Sequence, residues 1–104
     1  MESLSALADP TRQRIVELLA TAGPMSSGDI ARHFAVSAPA ISQHLKTLRE
    51  AHLLRVQVQA QRRIYALDRV GVDELAAWVE KIRSFWSGRL DALEQELQRS
   101  DKLP

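Results

Sequence analysis

Residues 25–54, MSSGDIARHFAVSAPAISQHLKTLREAHLL, constrain this chain more than any other stretch. They divide into two short amphipathic segments with room between them for a tight turn only. Ile30, Ala31 and Phe34 share one side of the first segment, and Ile41, Leu45 and Leu48 share one side of the second at helical spacing. Two helices so patterned can meet over one small apolar core. The outward side of the second then carries Ala38, Pro39, Ser42, Gln43 and Lys46, which are small, amide-bearing or basic side chains suited to base edges and phosphates. The pattern predicts a helix shaped to enter a DNA major groove.

The flanking sequence supplies the supports. Residues 1–8 place Leu4 and Leu7 on one side of a helical turn or two. Asp9 is a good N-cap and Pro10 a good first helical residue. Ile15, Leu18 and Leu19 form an inward stripe, and Gly23-Pro24 ends the helix. Ser26 followed by Asp29 predicts a capped helix over about 27–34, with Ala35 and Val36 in the turn. Ser37 caps the next helix, Pro39 falls in its first turn, and the helix runs to about Ala51. His52 then stands where a left-handed residue is often needed. Residues 54–67, LRVQVQAQRRIYAL, read as a two-stranded hairpin. Its tip, Gln59-Ala60-Gln61, lacks Gly, Asn and Asp, so a longer and looser turn is expected.

A last helix is predicted over about 72–99. Leu75, Val79, Ile82, Trp86, Leu90, Leu93 and Leu97 recur every three or four residues, close to a coiled-coil seam. Trp78 and Phe85 widen that seam beyond what one small domain needs to cover, which points to a partner helix. Gly88 offers a place to bend, and the final residues SDKLP are expected to fray.

At 104 residues the chain has room for one domain, residues 1–104, with a DNA-reading core over about 10–67 and a dimerisation helix over about 72–99. The net charge of +1 says little, but its distribution is uneven. Residues 37–67 carry five Lys or Arg against Glu50 alone, whereas residues 1–36 and 68–104 carry more acids than bases. The absence of cysteine excludes disulfides, thiolate metal sites and thiol catalysis. No apolar run approaches the ~18 residues that span a bilayer. The start, MESLSALADP, lacks the basic and apolar regions of a signal peptide, so a cytoplasmic protein without a membrane partner is expected. Nor is there a phosphate-binding Gly-rich loop or an arguable pairing of nucleophile and base, so an enzyme is not expected.

In this order, the segments LADPTRQRIVELL (7–19), VSAPAISQHLKTLREAHLL (36–54) and RRIYAL (62–67) resemble the arsenic-repressor (ArsR) family of bacterial winged-helix regulators. The resemblance covers roughly residues 4–67 and implies a mainly α fold with a small β-hairpin, a winged helix-turn-helix with N- and C-terminal dimerisation helices. It implies a homodimer that represses a promoter by binding double-stranded DNA until an effector weakens the complex; the sequence leaves open a small organic ligand, a protein partner, or no effector with control by expression level. Carried onto this sequence, the DNA contacts fall on Ser37, Ala38, Pro39, Ser42 and Gln43, with His44 and Lys46 nearby and Arg62 and Arg63 on the wing. The dimer interface falls on Leu4 and Leu7 together with Leu75, Val79, Ile82, Trp86, Leu90, Leu93 and Leu97. The Gln-rich tip departs from the Arg- and Gly-containing wing tip frequent in the family.

Several residues have two readings. Gln43 is either a reader of adenine or a solvated amide, and His44 is either a DNA contact or a histidine bonded within the protein. Trp78 and Trp86 either line an apolar ligand pocket or pack against a partner. Metal-sensing members of the family that the chain resembles use cysteines in the helix before the recognition helix, or Asp and His in the C-terminal helix; this sequence has neither set, and its three histidines lie at 33, 44 and 52. Asp29 and His33 have a metal-compatible spacing, which a solvated face explains equally, and no metal or cofactor is assigned. The alternative function is a protein-interaction module that docks a partner through the 72–97 seam.

Overall fold

A computed structural model of the protein describes residues 2–101. Along the chain run α1 (Glu2–Ala6), α2 (Pro10–Ala22), β1 (Met25–Ser26), α3 (Ser27–Ala31), α4 (Ala38–Glu50), β2 (Leu54–Gln59), β3 (Arg62–Leu67) and α5 (Arg69–Asp101). The fold is mainly helical with a small antiparallel sheet, a winged helix-turn-helix in which α3 and α4 are the helix pair and β2–β3 the wing.

Side-chain caps set the helix starts. The Asp9 carboxylate accepts the Arg12 backbone N–H at 3.1 Å, Ser26 Oγ accepts that of Asp29 at 3.2 Å, and Ser37 Oγ accepts that of Ala40 at 3.3 Å. Gly23 closes α2 at φ 84° with its N–H donated to the Leu19 carbonyl. His52 takes the expected left-handed backbone, at φ 60°.

The core lies where these helices meet the sheet. Ile15 and Leu19 of α2, Ile30 of α3, Ile41, Leu45 and Leu48 of α4, and Leu53, Leu54 and Tyr65 are all buried in one cluster. Leu7, Val16, Phe34, Val56, Leu67 and Val72 pack around it, while Leu18 stays half-buried at the edge. Among the described residues of α5, Gly71 alone is buried. A Cβ built on Gly71 would stand 1.9 Å from the His52 carbonyl oxygen, so the first turn of α5 lies directly on the backbone that ends α4.

Four expectations are corrected. The helix expected over 27–34 ends at Ala31, and the next turn tightens, with His33 N–H donating to the Ile30 carbonyl and Phe34 N–H to that of Ala31. The hairpin is part of a three-stranded sheet in the order β1-β3-β2, because Met25 and Ser26 pair with Tyr65 and Ile64. The wing tip is tight: pairing continues to Gln59 and Arg62, leaving Ala60 and Gln61 as a two-residue loop. The six-pair register, with Val56 opposite Tyr65 and Leu54 opposite Leu67, forces Ala60 to φ 56° where glycine is the usual occupant. Finally, α5 begins at Arg69 rather than 72, because the Asp68 carboxylate accepts the Val70 N–H at 3.0 Å. It runs unbroken through Gly88 to Asp101; of the residues expected to fray, Ser100 and Asp101 are helical and 102–104 lie outside the described residues.

Candidate nucleic-acid interface

The amphipathic pattern of α4 decides which side chains face outward. With Ile41, Leu45 and Leu48 committed to the core, Ser42, Gln43 and Lys46 are left exposed on the opposite side, and the cap places Ser37, Ala38 and Pro39 exposed at its N-terminal end. The wing closes one flank. Pro39, Ser42, Gln43, Lys46 and Arg49 of α4, Ser27 of α3, and Arg63 and Tyr65 of β3 line a groove of about 390 Å³. A second depression of about 510 Å³, between α3 and the wing tip, is lined by Ser26, Ser27, Gly28, Asp29, Arg32, Gln61, Arg62 and Arg63. Ser27 and Arg63 line both, so the two form one continuous surface.

Of the residues predicted from the sequence, Pro39, Ser42, Gln43, Lys46 and Arg63 come together in the first groove. Arg62 points into the second, where its Nη2 lies 3.3 Å from an Asp29 carboxylate oxygen. His44 is placed differently: it is half-buried, with Nδ1 3.2 Å from Arg12 Nη1 on α2. Arg12 also donates through Nε to the Ala6 carbonyl at the end of α1. One guanidinium therefore ties α1 to α4. The same corner holds Asp9, whose carboxyl lies below the usual carboxylate range chiefly because it accepts the Arg12 backbone N–H, with the charges of Arg12 and His44 adding to this.

Sequence reasoning missed Arg49 and Arg32 as members of this surface. Arg49 was legible, since it follows Lys46 by three residues and Ser42 by seven on the same helix face. The Asp29–His33 spacing does not converge on a metal: His33 Nδ1 lies 2.9 Å from the Asp29 backbone carbonyl, and the carboxylate is occupied by Arg32 and Arg62. Among the described residues no group of three or more His, Asp or Glu could hold a metal ion.

The predicted dimer residues divide. Leu7 packs on the core and Leu75 is half-buried. Val79, Ile82, Trp86, Leu90, Leu93 and Leu97 are 45–60% exposed along a rod that gives the molecule extents of 75 × 27 × 22 Å. Leu4, Trp78 and Phe85 are exposed too. No described helix is long and apolar enough to cross a membrane.

An exposed polar helix beside a basic two-stranded wing defines a DNA-binding winged helix-turn-helix protein. Comparison with known proteins agrees: residues 7–57 match the model of a helix-turn-helix domain family. The chain is 46% identical over 90 residues to the HTH-type transcriptional regulator Rv2034 of Mycobacterium tuberculosis, covering 86% of this chain and 80% of that one. It is 38% identical over 74 residues to the transcriptional repressor SdpR of Bacillus subtilis, covering 71% and 81%. Among solved structures it is similar, with a TM-score of 0.65 and 25% identity over 80% of this chain and 76% of the other, to a homodimeric winged helix-turn-helix DNA-binding domain of a possible ArsR-family regulator from Mycobacterium bovis. The chain belongs to the ArsR family of winged helix-turn-helix transcriptional regulators, proteins that bind DNA and are not enzymes.

Proposed function

We propose that the protein is a homodimeric repressor that grips a roughly palindromic operator with two copies of α4 and its wing. The observation that carries this reading is the continuous surface formed by α4, α3 and β3, in which amide and hydroxyl groups sit beside Lys46, Arg49 and Arg63. In it Ser37, Ala38, Pro39, Ser42 and Gln43 face base edges, and Lys46, Arg49 and Arg63 meet phosphates, with Arg62 beside them on the wing in contact with Asp29. His44 acts from behind by bonding Arg12. A second copy covers the α5 seam, placing two reading helices about one DNA turn, roughly 34 Å, apart. The repressor of B. subtilis and the homodimer of M. bovis support both parts of the reading.

The test is selection from a pool of random-sequence duplexes, followed by titration of the selected and a shuffled duplex at two salt concentrations. Enrichment of a two-fold symmetric site bound by two protomers is the expected result. Failure to enrich any sequence would overturn the proposal. On the selected site, Gln43→Ala is expected to cost about 1–3 kcal/mol and relax sequence choice, whereas Lys46→Ala weakens every duplex alike and lowers the salt slope by about 1.

A further inference from the structure

Between residues 23 and 67 the chain has six Lys or Arg and two acids, Asp29 and Glu50. The two acids lie on different faces. Glu50 borders a depression beside α1, with Glu2, Ser5 and Arg12. Asp29 lies on the surface assigned above to DNA, in the depression joined to the α4 groove through Ser27 and Arg63. A carboxylate facing an array of phosphates opposes binding, so its presence there calls for a physical reason.

Its contacts supply one. Oδ1 is 3.2 Å from Arg32 Nη1 on α3's side, and Oδ2 is 3.3 Å from Arg62 Nη2 on the wing. One carboxylate thus occupies two of the cations on this surface. The pairs are largely solvent-exposed, with the arginine side chains 80% and 63% accessible, and exposed ion pairs contribute little to folding. The α3 cap does not need the carboxylate either, because Ser26 accepts the backbone N–H of Asp29, which other residues supply equally.

We propose that Asp29 is a brake on backbone binding: it holds Arg32 and Arg62 away from phosphates and so sets the protein's general affinity for DNA, leaving sequence choice to α4. This rests on the DNA-reading assignment above. Each arginine must leave Asp29 to meet a phosphate, and each one freed releases counterions and steepens the salt dependence by about 0.9 in the log–log slope. Over a change from roughly 50 to 200 mM salt, that is an extra loss of about 3.5-fold in affinity per freed arginine.

The test is titration of a shuffled and a selected duplex with wild type, Asp29→Asn, Glu50→Gln and the double variant Asp29→Asn/Arg62→Ala across that salt range. Asp29→Asn is expected to bind both duplexes more tightly at low salt by a similar factor, with a steeper slope and unchanged sequence preference. Glu50→Gln makes the same change in formal charge off this surface and is expected to keep the wild-type slope. The double variant is expected to lose the part of the gain owed to Arg62. Asp29→Ser repeats the test with a second neutral side chain should the amide disturb the fold. If wild type binds duplex while Asp29→Asn keeps its slope, or binds more weakly because the wing has lost its tether, the brake is overturned and the DNA-reading assignment stands. A wild type that binds no duplex overturns the assignment itself.

Discussion

The reading core and the distal two-thirds of α5 are made of the same material and end in opposite states. In both, Ile and Leu recur every three or four residues on one face of a helix. In α4 that face is sealed, with Ile41, Leu45 and Leu48 at most 1% exposed. In α5 it stands open from Val79 to Leu97, and past the first two turns every described residue of the helix is exposed. Periodicity specifies which side of a helix is apolar; what covers that side is a property of the tertiary arrangement. One stripe is closed by the chain's own fold, and the other is the face on which the proposed homodimer would form.

Paired truncations put that contrast to the sharpest test. Leu45→Ala removes a fully buried side chain and is expected to cost about 2–5 kcal/mol in denaturant unfolding of the dilute protein. Leu93→Ala in the same assay is expected to change the core's stability by no more than about 0.5 kcal/mol, its effect appearing in sedimentation as weaker self-association. Equal costs for the two would erase the distinction. Gly71→Ala comes next, since its Cβ cannot occupy a point 1.9 Å from the His52 oxygen without moving α5 off the end of α4. We expect a loss of about 1–3 kcal/mol by thermal melting. A smaller gain is expected from Ala60→Gly, about 0.5–1 kcal/mol in the same melts, because the wing-tip φ of 56° suits glycine.

The smallest effect concerns acid. Because the folded Asp9 carboxyl lies below its ordinary range, its contribution is fully present above the unfolded value of about 3.9 and is lost as pH falls through the lower folded value. Asp9→Asn keeps a capping oxygen but does not titrate. Its melting temperature is expected to fall less than wild type's below about pH 4, with the two curves nearly parallel above it.

Much of this was legible. Asp9, Ser26 and Ser37 announced three helix starts, and Ile41, Leu45 and Leu48 fixed the inward face of α4, which left Ser42, Gln43 and Lys46 outside. What escaped had a physical reason in each case. Met25 and Ser26 are too few to show the alternation of a strand, and their pairing is decided by Tyr65 and Ile64, some forty residues away. Ala60 carries no turn signal; the ladder on either side imposes its conformation. The Arg62–Asp29 and Arg12–His44 contacts join residues 33 and 32 positions apart, and no local pattern marks such pairs. Gly71 could pass for an unremarkable helix opening until the His52 carbonyl is found beside it.

The unaccompanied length of α5 carries one more consequence. Helices of this kind owe most of their order to the packing of their apolar face, and in the homodimer proposed above that face is met by a second copy. If that homodimer forms, dilution is expected to act as a denaturant would, selectively: the helical content of α5 declines with falling protomer concentration while the rest of the domain stays folded. Circular dichroism followed down a dilution series would register the number of copies present, and a cell would register it in the same way, as the abundance at which a rod becomes half of a pair.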